Sequence, residues 1–252
     1  MDKINVLGVN IDNINLEEAK SEVLSFLNGD KLNTIFTPNS EIVMEARKNE
    51  RFQKILNSGD LVTADGIGLV HASKIKKKPL KERVTGFDLS MEILKIAAEN
   101  GYKVYFLGGA EGVAEEAKRQ AEKKYGNINI VGTHNGYFRG YHRGIENDPE
   151  EAAIIEEINR LGAEILFVGL GAPAQEYWIN HNRDRLKTVK VVIGNGGTLD
   201  VIAGKVKRAP EFFQKMGLEW FYRLIKEPKR IKRQIQLPIF LFTIITKKDS
   251  VK

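Results

Sequence analysis

Through the first two hundred residues, short runs of β-branched and apolar residues alternate with longer stretches whose apolar positions recur every three or four residues. The short runs suit strands, and the longer ones suit helices with one buried face. Predicted strands cover residues 4–7, 33–36, 61–63, 103–107, 128–132, 165–168 and 189–193. Helices are predicted near 16–28, 40–57, 67–76, 87–99, 111–125, 149–161 and 174–186. This rhythm belongs to a mostly parallel sheet with crossover helices, so the expected fold is α/β and Rossmann-like. Residues 1–204 are expected to form that domain and residues 205–252 a short helical appendage. In the appendage, GLEWFYRLIKEPKRIKRQ sets Trp220 over Leu224 and Phe221 over Ile225 at helical spacing, until Pro228 interrupts the pattern.

Almost every predicted strand ends in a polar or glycine-rich turn: TPNSE, ADGIG, FLGGAEG, GTHNGYF, VGLGAPAQE and IGNGGTLD. Open α/β sheets bind ligands at the carboxyl ends of their strands, so these turns are expected to share one site. FRGYHRGIENDPEE, polar and glycine-containing, reads as a mobile loop.

The chemistry on offer differs from turn to turn. In FLGGAEG, Gly108 and Gly109 lie between a strand and a helix, where backbone amides can hold a phosphate. Gly112 breaks the dinucleotide spacing and no Walker lysine follows, so a tight packing turn explains the glycines as well. Asp65 in ADGIG can serve as a general base if it faces a cleft, or as a helix N-cap. Thr37 and Asn39 in TPNSE offer hydrogen-bonding groups, with capping as the alternative for Asn39. Gln175 in GAPAQE can point toward a ligand or into solvent, and Arg83, before VTGFD, can meet a diphosphate in bidentate fashion.

Composition narrows the classes. At 252 residues, 42% hydrophobic and 29% charged, the chain can bury a substantial core. It has no cysteine, which excludes disulfides, thiolate nucleophiles and cysteine metal sites. No basic-then-apolar leader opens the chain, and the apolar run 237–246 is about half of the roughly 20 residues that span a bilayer. His71, His134, His142 and His181 lack metal-ligand spacing, and neither HExxH nor an Asp-x-Asp pair occurs, so no metal or other cofactor is expected. The net charge of +6 is unevenly placed. Residues 205–235 carry ten Lys or Arg against three Glu, and 236–252 add three Lys against one Asp, which leaves residues 1–204 at −3. A mildly acidic body therefore carries a strongly basic, aromatic tail.

The segments ADGIG, ERVTGFDL, FLGG, HNGYF, VGLGAPAQE, GGTLDVIAGKVKRAP and GLEWFYRLIKEPKR, in this order, resemble the WecG/TagA/CpsF glycosyltransferases of bacterial cell-surface polymer synthesis over nearly the whole chain. The resemblance implies an inverting, metal-independent transfer of N-acetylmannosamine from its UDP-sugar to the 4-hydroxyl of GlcNAc in undecaprenyl-diphosphate-GlcNAc, at the inner face of the cytoplasmic membrane. Family members that use another donor, such as UDP-N-acetylmannosaminuronic acid, share the same motifs. Asp65 matches the family's general base, with Asp88 and Asp200 as rivals, and Thr37, Asn39, Arg83 and Gln175 match polar positions of the same cleft. Gly108, Gly109, Gly169, Gly196, Gly197 and Asp200 become the nucleotide-binding candidates, and Arg223, Arg230 and Arg233 the cations beside the departing UDP. One departure is that the polar stretch 139–148 is longer than the family pattern.

Two other classes compete. The basic, aromatic tail could hold nucleic acid, although the acidic body and helical tail pattern speak against it, so no nucleic-acid partner is expected. A nicotinamide oxidoreductase would need the glycine spacing and ribose-binding acid that are missing. Large apolar residues in the tail also predict homo-oligomers away from a membrane, and membrane docking is expected to fold the tail over the site.

Overall fold

The computed structural model describes residues 2–216, 218–226, 231 and 235–252. The chain opens on an antiparallel hairpin, β1 (Lys3–Val6) and β2 (Val9–Asp12), separate from the main sheet. The run at 4–7 is thus not the first strand of the parallel sheet, because the adjacent segment 9–12 is near enough in sequence to take its backbone bonds. Next come α1 (Leu16–Asn28), β3 (Asn33–Phe36), α2 (Ser40–Lys48), α3 (Glu50–Asn57), β4 (Leu61–Val62), α4 (Ile67–Ile75) and α5 (Gly86–Asn100). β5 (Lys103–Gly108), α6 (Val113–Tyr125), β6 (Asn129–His134), α7 (Pro149–Leu161), β7 (Ile165–Gly169), α8 (Ala174–Asn182) and β8 (Val191–Gly194) complete the sheet. α9 (Thr198–Ile202) follows β8, and the described tail adds α10 (Glu211–Lys215), α11 (Glu219–Lys226) and α12 (Gln236–Thr246).

The main sheet is six-stranded and wholly parallel, in the order β4-β3-β8-β7-β5-β6. Both faces are covered, as the near-continuous apolar strands require. One face buries Val43, Phe52, Ile155, Trp178 and Ile179 from α2, α3, α7 and α8. The other buries Val23, Ile93, Ala117 and Leu199 from α1, α5, α6 and α9. The connections switch face between neighbouring strands: α6 follows β5 on one face and α8 follows β7 on the other, so a crevice opens between their carboxyl ends.

Local chemistry sets the helix limits. Asn15 and Glu18 form a reciprocal capping box on α1, and Thr85 caps α5 through the Asp88 amide. The helix expected over 40–57 is two helices, because Asn49 leaves helical geometry and caps α3 by accepting from the Phe52 amide.

The 205–252 segment divides. α11 lies against the cleft described below, whereas α12 is built into the body. Phe240 and Ile244 of α12 are fully buried in the core, while Ile239, Phe242 and Ile245 face outward. Beyond α12, Val251 bridges antiparallel to Val6, and Asn5 and Lys252 exchange backbone hydrogen bonds of 2.8 and 2.9 Å. Among the described residues no helix is long and apolar enough to cross a membrane.

Candidate active site

The strand ends converge on a cleft of about 670 Å³. Its floor is glycine on glycine. A Cβ at Gly108 would lie 2.5 Å from the Gly169 carbonyl oxygen, and one at Gly169 would lie 2.9 Å from the Gly196 carbonyl oxygen. The turns FLGG, VGLG and GNGG can therefore approach only because these residues lack side chains. Hydrogen bonds lock them together: Gly109 N donates to Gly169 O at 3.1 Å, and Gly136 N donates to Gly109 O at 2.8 Å. Gly109, Gly169, Gly196, Gly197 and Asp200 line the cleft, while Gly108 acts behind it as the packing contact.

Asp65 sits on the wall at the β4 end, beside Thr37 and Asn39. Its backbone N–H donates to Pro38 O at 3.1 Å, and its Oδ1 accepts from Gly86 N at 3.4 Å. The capping alternative does not hold for Asp65, because the N-cap of α4 is Gly66 and no side chain caps that helix. Asn39 does cap α2, through Ile42 N at 3.0 Å, and lines the cleft as well.

Arg83 stands behind Asp65 rather than on the cleft surface. Its Nε donates to the Asp65 carbonyl at 2.9 Å, and its guanidinium pairs with the Glu219 carboxylate of α11. Glu219 also takes Arg208, at 3.5 Å. Arg208 in turn makes a bidentate pair with Asp88, at 2.6 and 2.9 Å, and its guanidinium carbon lies 4.6 Å from the centre of the Phe87 ring. Thr85 Oγ1 donates to the second Asp88 oxygen at 2.6 Å. Burial alone would raise the Asp88 carboxyl, but the Arg208 and Thr85 hydrogen bonds outweigh it and hold its pKa below the ordinary value. So engaged an acid is a poor proton acceptor.

Gln175 is buried, with both ends of its amide engaged. Its Oε1 accepts from Gly196 N at 2.9 Å, and its Nε2 donates to Glu176 Oε1 at 2.9 Å. Glu176 is 2% exposed, and its other oxygen has no hydrogen-bond partner among the described residues. Burial pushes its carboxyl up to about 7, against a smaller downward pull from the Gln175 hydrogen bond. The pair holds the GNGG turn in place.

The segment expected to be mobile is pinned. Tyr141 stacks on His181 with ring centres 3.7 Å apart, Phe138 is buried against His142 and Trp178, and Tyr141 N donates to Glu151 at 3.2 Å. It brings His142 and Arg143 to the cleft, next to Tyr137 of the preceding turn. Sequence reasoning missed these residues together with Arg208, Phe87 and Glu219. Arg208 lies within GKVKRAP, yet its partner is 120 residues away and no local spacing announces it. Arg223 lies on α11 with its side chain outside what is described, and Arg230 and Arg233 lie outside the described residues. Among the described residues no three His, Asp or Glu gather as metal ligands.

A doubly wound parallel sheet with a glycine-floored polar cleft at its carboxyl edge defines a class, the α/β proteins that take nucleotide-type ligands there. Within that class the chain belongs to the glycosyl transferase WecG/TagA/CpsF family, whose pattern matches residues 4–251. It is 35% identical over 252 residues, 99% of this chain and 95% of the relative, to the N-acetylglucosaminyldiphosphoundecaprenol N-acetyl-beta-D-mannosaminyltransferase of Staphylococcus aureus strain MRSA252. The enzymes of the same name from strains MW2 and NCTC 8325 / PS 47 match with the same identity and coverage.

Proposed function

We propose that this glycosyltransferase moves N-acetylmannosamine from UDP-N-acetylmannosamine to the 4-hydroxyl of GlcNAc in undecaprenyl-diphosphate-GlcNAc, with inversion. The observation that carries the reading is Asp65, a carboxylate on the cleft wall, not consumed as a helix cap and held by the Gly86 amide beside Thr37 and Asn39. Asp65 takes the proton from the acceptor hydroxyl as its oxygen attacks the anomeric carbon from the face opposite UDP. The departing diphosphate lies over the glycine floor, where the Gly109 and Gly196 turns bring backbone close to it, with Arg208 at its margin. The names of the relatives support both donor sugar and acceptor.

The acceptor's polyprenyl chain requires work at a bilayer surface. The outward face of α12, with Ile235, Ile239, Phe242 and Ile245 exposed, suits docking on the inner face of the cytoplasmic membrane, and Lys247 and Lys248 follow it toward anionic lipid. Mixing the protein with UDP-N-acetylmannosamine and a short-chain lipid-diphosphate-GlcNAc, and measuring UDP release, tests the reading. Release is expected with this donor above UDP-N-acetylmannosaminuronic acid, with and without chelator. Asp65→Asn should lower turnover by about 10²–10⁴-fold while UDP still binds. No release with any UDP-N-acetylhexosamine would overturn the reading.

A further inference from the structure

Asp65 follows β4 at one edge of the sheet, and the cleft runs from there to β6 at the other. At about 4.8 Å per strand step, the ends of β4 and β6 are about 24 Å apart. A sugar nucleotide is elongated, with its reacting carbon at one end and its base at the other. If the anomeric carbon is at Asp65, as the proposed function has it, the diphosphate crosses the glycine floor and the nucleoside points toward the β5 and β6 end, from which side chains of the turn after β6 reach back over the same cleft.

Two side chains stand at that end. Tyr137, which lines the cleft, is 69% exposed, although the next residue, Phe138, is fully buried. The Arg143 guanidinium carbon lies 5.4 Å from the centre of the Tyr137 ring. Arg143 has no described carboxylate within 4.0 Å, whereas Arg83 and Arg208 each have one. Both residues are held on fixed backbone. Tyr137 N donates to Asn135 Oδ1 at 2.8 Å, and the turn carrying Arg143 closes through Arg143 N to Gly140 O at 2.9 Å, with Tyr141 stacked on His181. Ordering an aromatic face and a cation beside open space, with neither used in packing, is an arrangement for a flat, carbonyl-bearing ligand.

We propose that Tyr137 and Arg143 form the nucleobase platform of the donor site. The base stacks on the Tyr137 ring, and the Arg143 guanidinium donates to a ring carbonyl. Arginine only donates, so it favours uracil, with an oxygen at ring position 4, over cytosine, with an amine there.

Calorimetric titration of the full-length protein with UDP, CDP and inorganic pyrophosphate tests the platform. The wild type is expected to prefer UDP to CDP. Tyr137→Ala should weaken UDP binding about tenfold, the scale of one base stack, and leave pyrophosphate binding unchanged. Arg143→Ala should weaken UDP and remove its advantage over CDP, while Tyr137→Phe should bind UDP as the wild type does. Unchanged UDP binding in both alanine variants would overturn the platform and leave the proposed function standing. So would an Arg143→Ala protein that loses pyrophosphate as strongly as UDP, since its guanidinium would then serve phosphate. A wild type that binds pyrophosphate but not UDP would overturn the proposed function itself and the platform with it.

Discussion

Glu176→Gln should make the protein more stable at alkaline pH, a direction opposite to that of most changes to a buried charged residue. The wild-type carboxyl is fully buried, one oxygen accepts from Gln175 and the other has no described partner, and its pKa stands at about 7 against 4.5 for an unhindered glutamate. Because the folded pKa is the higher, both states are protonated below pH 4.5 and the group costs nothing there. As pH rises from 4.5 to 7 the unfolded chain ionises first, and folding loses about 3 kcal/mol by the time both states are charged. Between pH 5.5 and 8.5 that loss grows by about 2 kcal/mol. Glutamine is neutral throughout, its oxygen can still accept from Gln175, and its amide adds a donor on the unpartnered side. Urea unfolding of both proteins at pH 5.5 and 8.5 gives the double difference, in which every other titrating group cancels. The variant should gain about 2 kcal/mol on the wild type between the two pH values. A double difference near zero would mean that Glu176 ionises alike in both states, and the account of a neutral acid behind the GNGG turn would be wrong.

Other outcomes follow from single contacts. Arg208→Ala leaves Asp88 without its bidentate partner in a half-exposed setting, so a loss of about 1–2 kcal/mol is expected in urea unfolding, with weaker UDP binding alongside. Gly108→Ala sets a methyl against the Gly169 backbone at a φ of 144°, and should cost about 3 kcal/mol or more, read as a lowered Tm of the full chain. Phe240→Ala should cost about 3–5 kcal/mol, whereas Phe242→Ala, on the opposite face of α12, should change stability by no more than about 0.5 kcal/mol. Phe242→Glu should instead reduce sedimentation with anionic vesicles, with turnover on a short-chain acceptor unchanged.

What the sequence conveyed and what it withheld divide along the range of the interactions concerned. Strand and helix alternation, and the polar turns after each strand, depend on patterns a few residues long, and they were enough to gather Thr37, Asn39, Asp65, Gln175 and the glycines at one edge. Breaks such as Asn49 depend on one side chain choosing the amide three residues ahead, a choice that a continuous apolar period conceals. Arg208 and Asp88 are 120 residues apart, and Arg83 and Glu219 are 136 apart, so only the folded chain can pair them. The pairing of Asp88 with Arg208 was doubly hidden, because Thr85 and Asp88 at three-residue spacing already make sense as a helix cap. The order of 139–148 was missed for a similar reason. Its composition is that of a solvated loop, and what fixes it is a ring on α8 and carboxylates on α7.

The tail illustrates how one composition can cover two physical roles. Its apolar run, read by itself, is all surface-seeking, since a ten-residue run is too short to cross a bilayer and nothing in it calls for the body. Helical geometry separates the run into two faces. Phe240, Thr243 and Ile244 fall on one side and close the core over α2 and α4, while Ile239, Phe242 and Ile245 fall on the other. The C-terminal residues then pair with β1, so the last turn of the chain secures the first strand. Any shift of α12 must therefore disturb the core as well as the outer apolar face. α11 differs, in that its Glu219 meets Arg83 and Arg208 at the edge of the cleft through ion pairs. The Arg83, Arg208 and Glu219 side chains are 13–24% exposed, so this contact rests on charges largely withdrawn from water, whereas Phe240 is held by apolar burial. Within the tail, α12 is consequently anchored by apolar packing and α11 meets the site through charge, although both arise from the same basic, aromatic stretch of sequence.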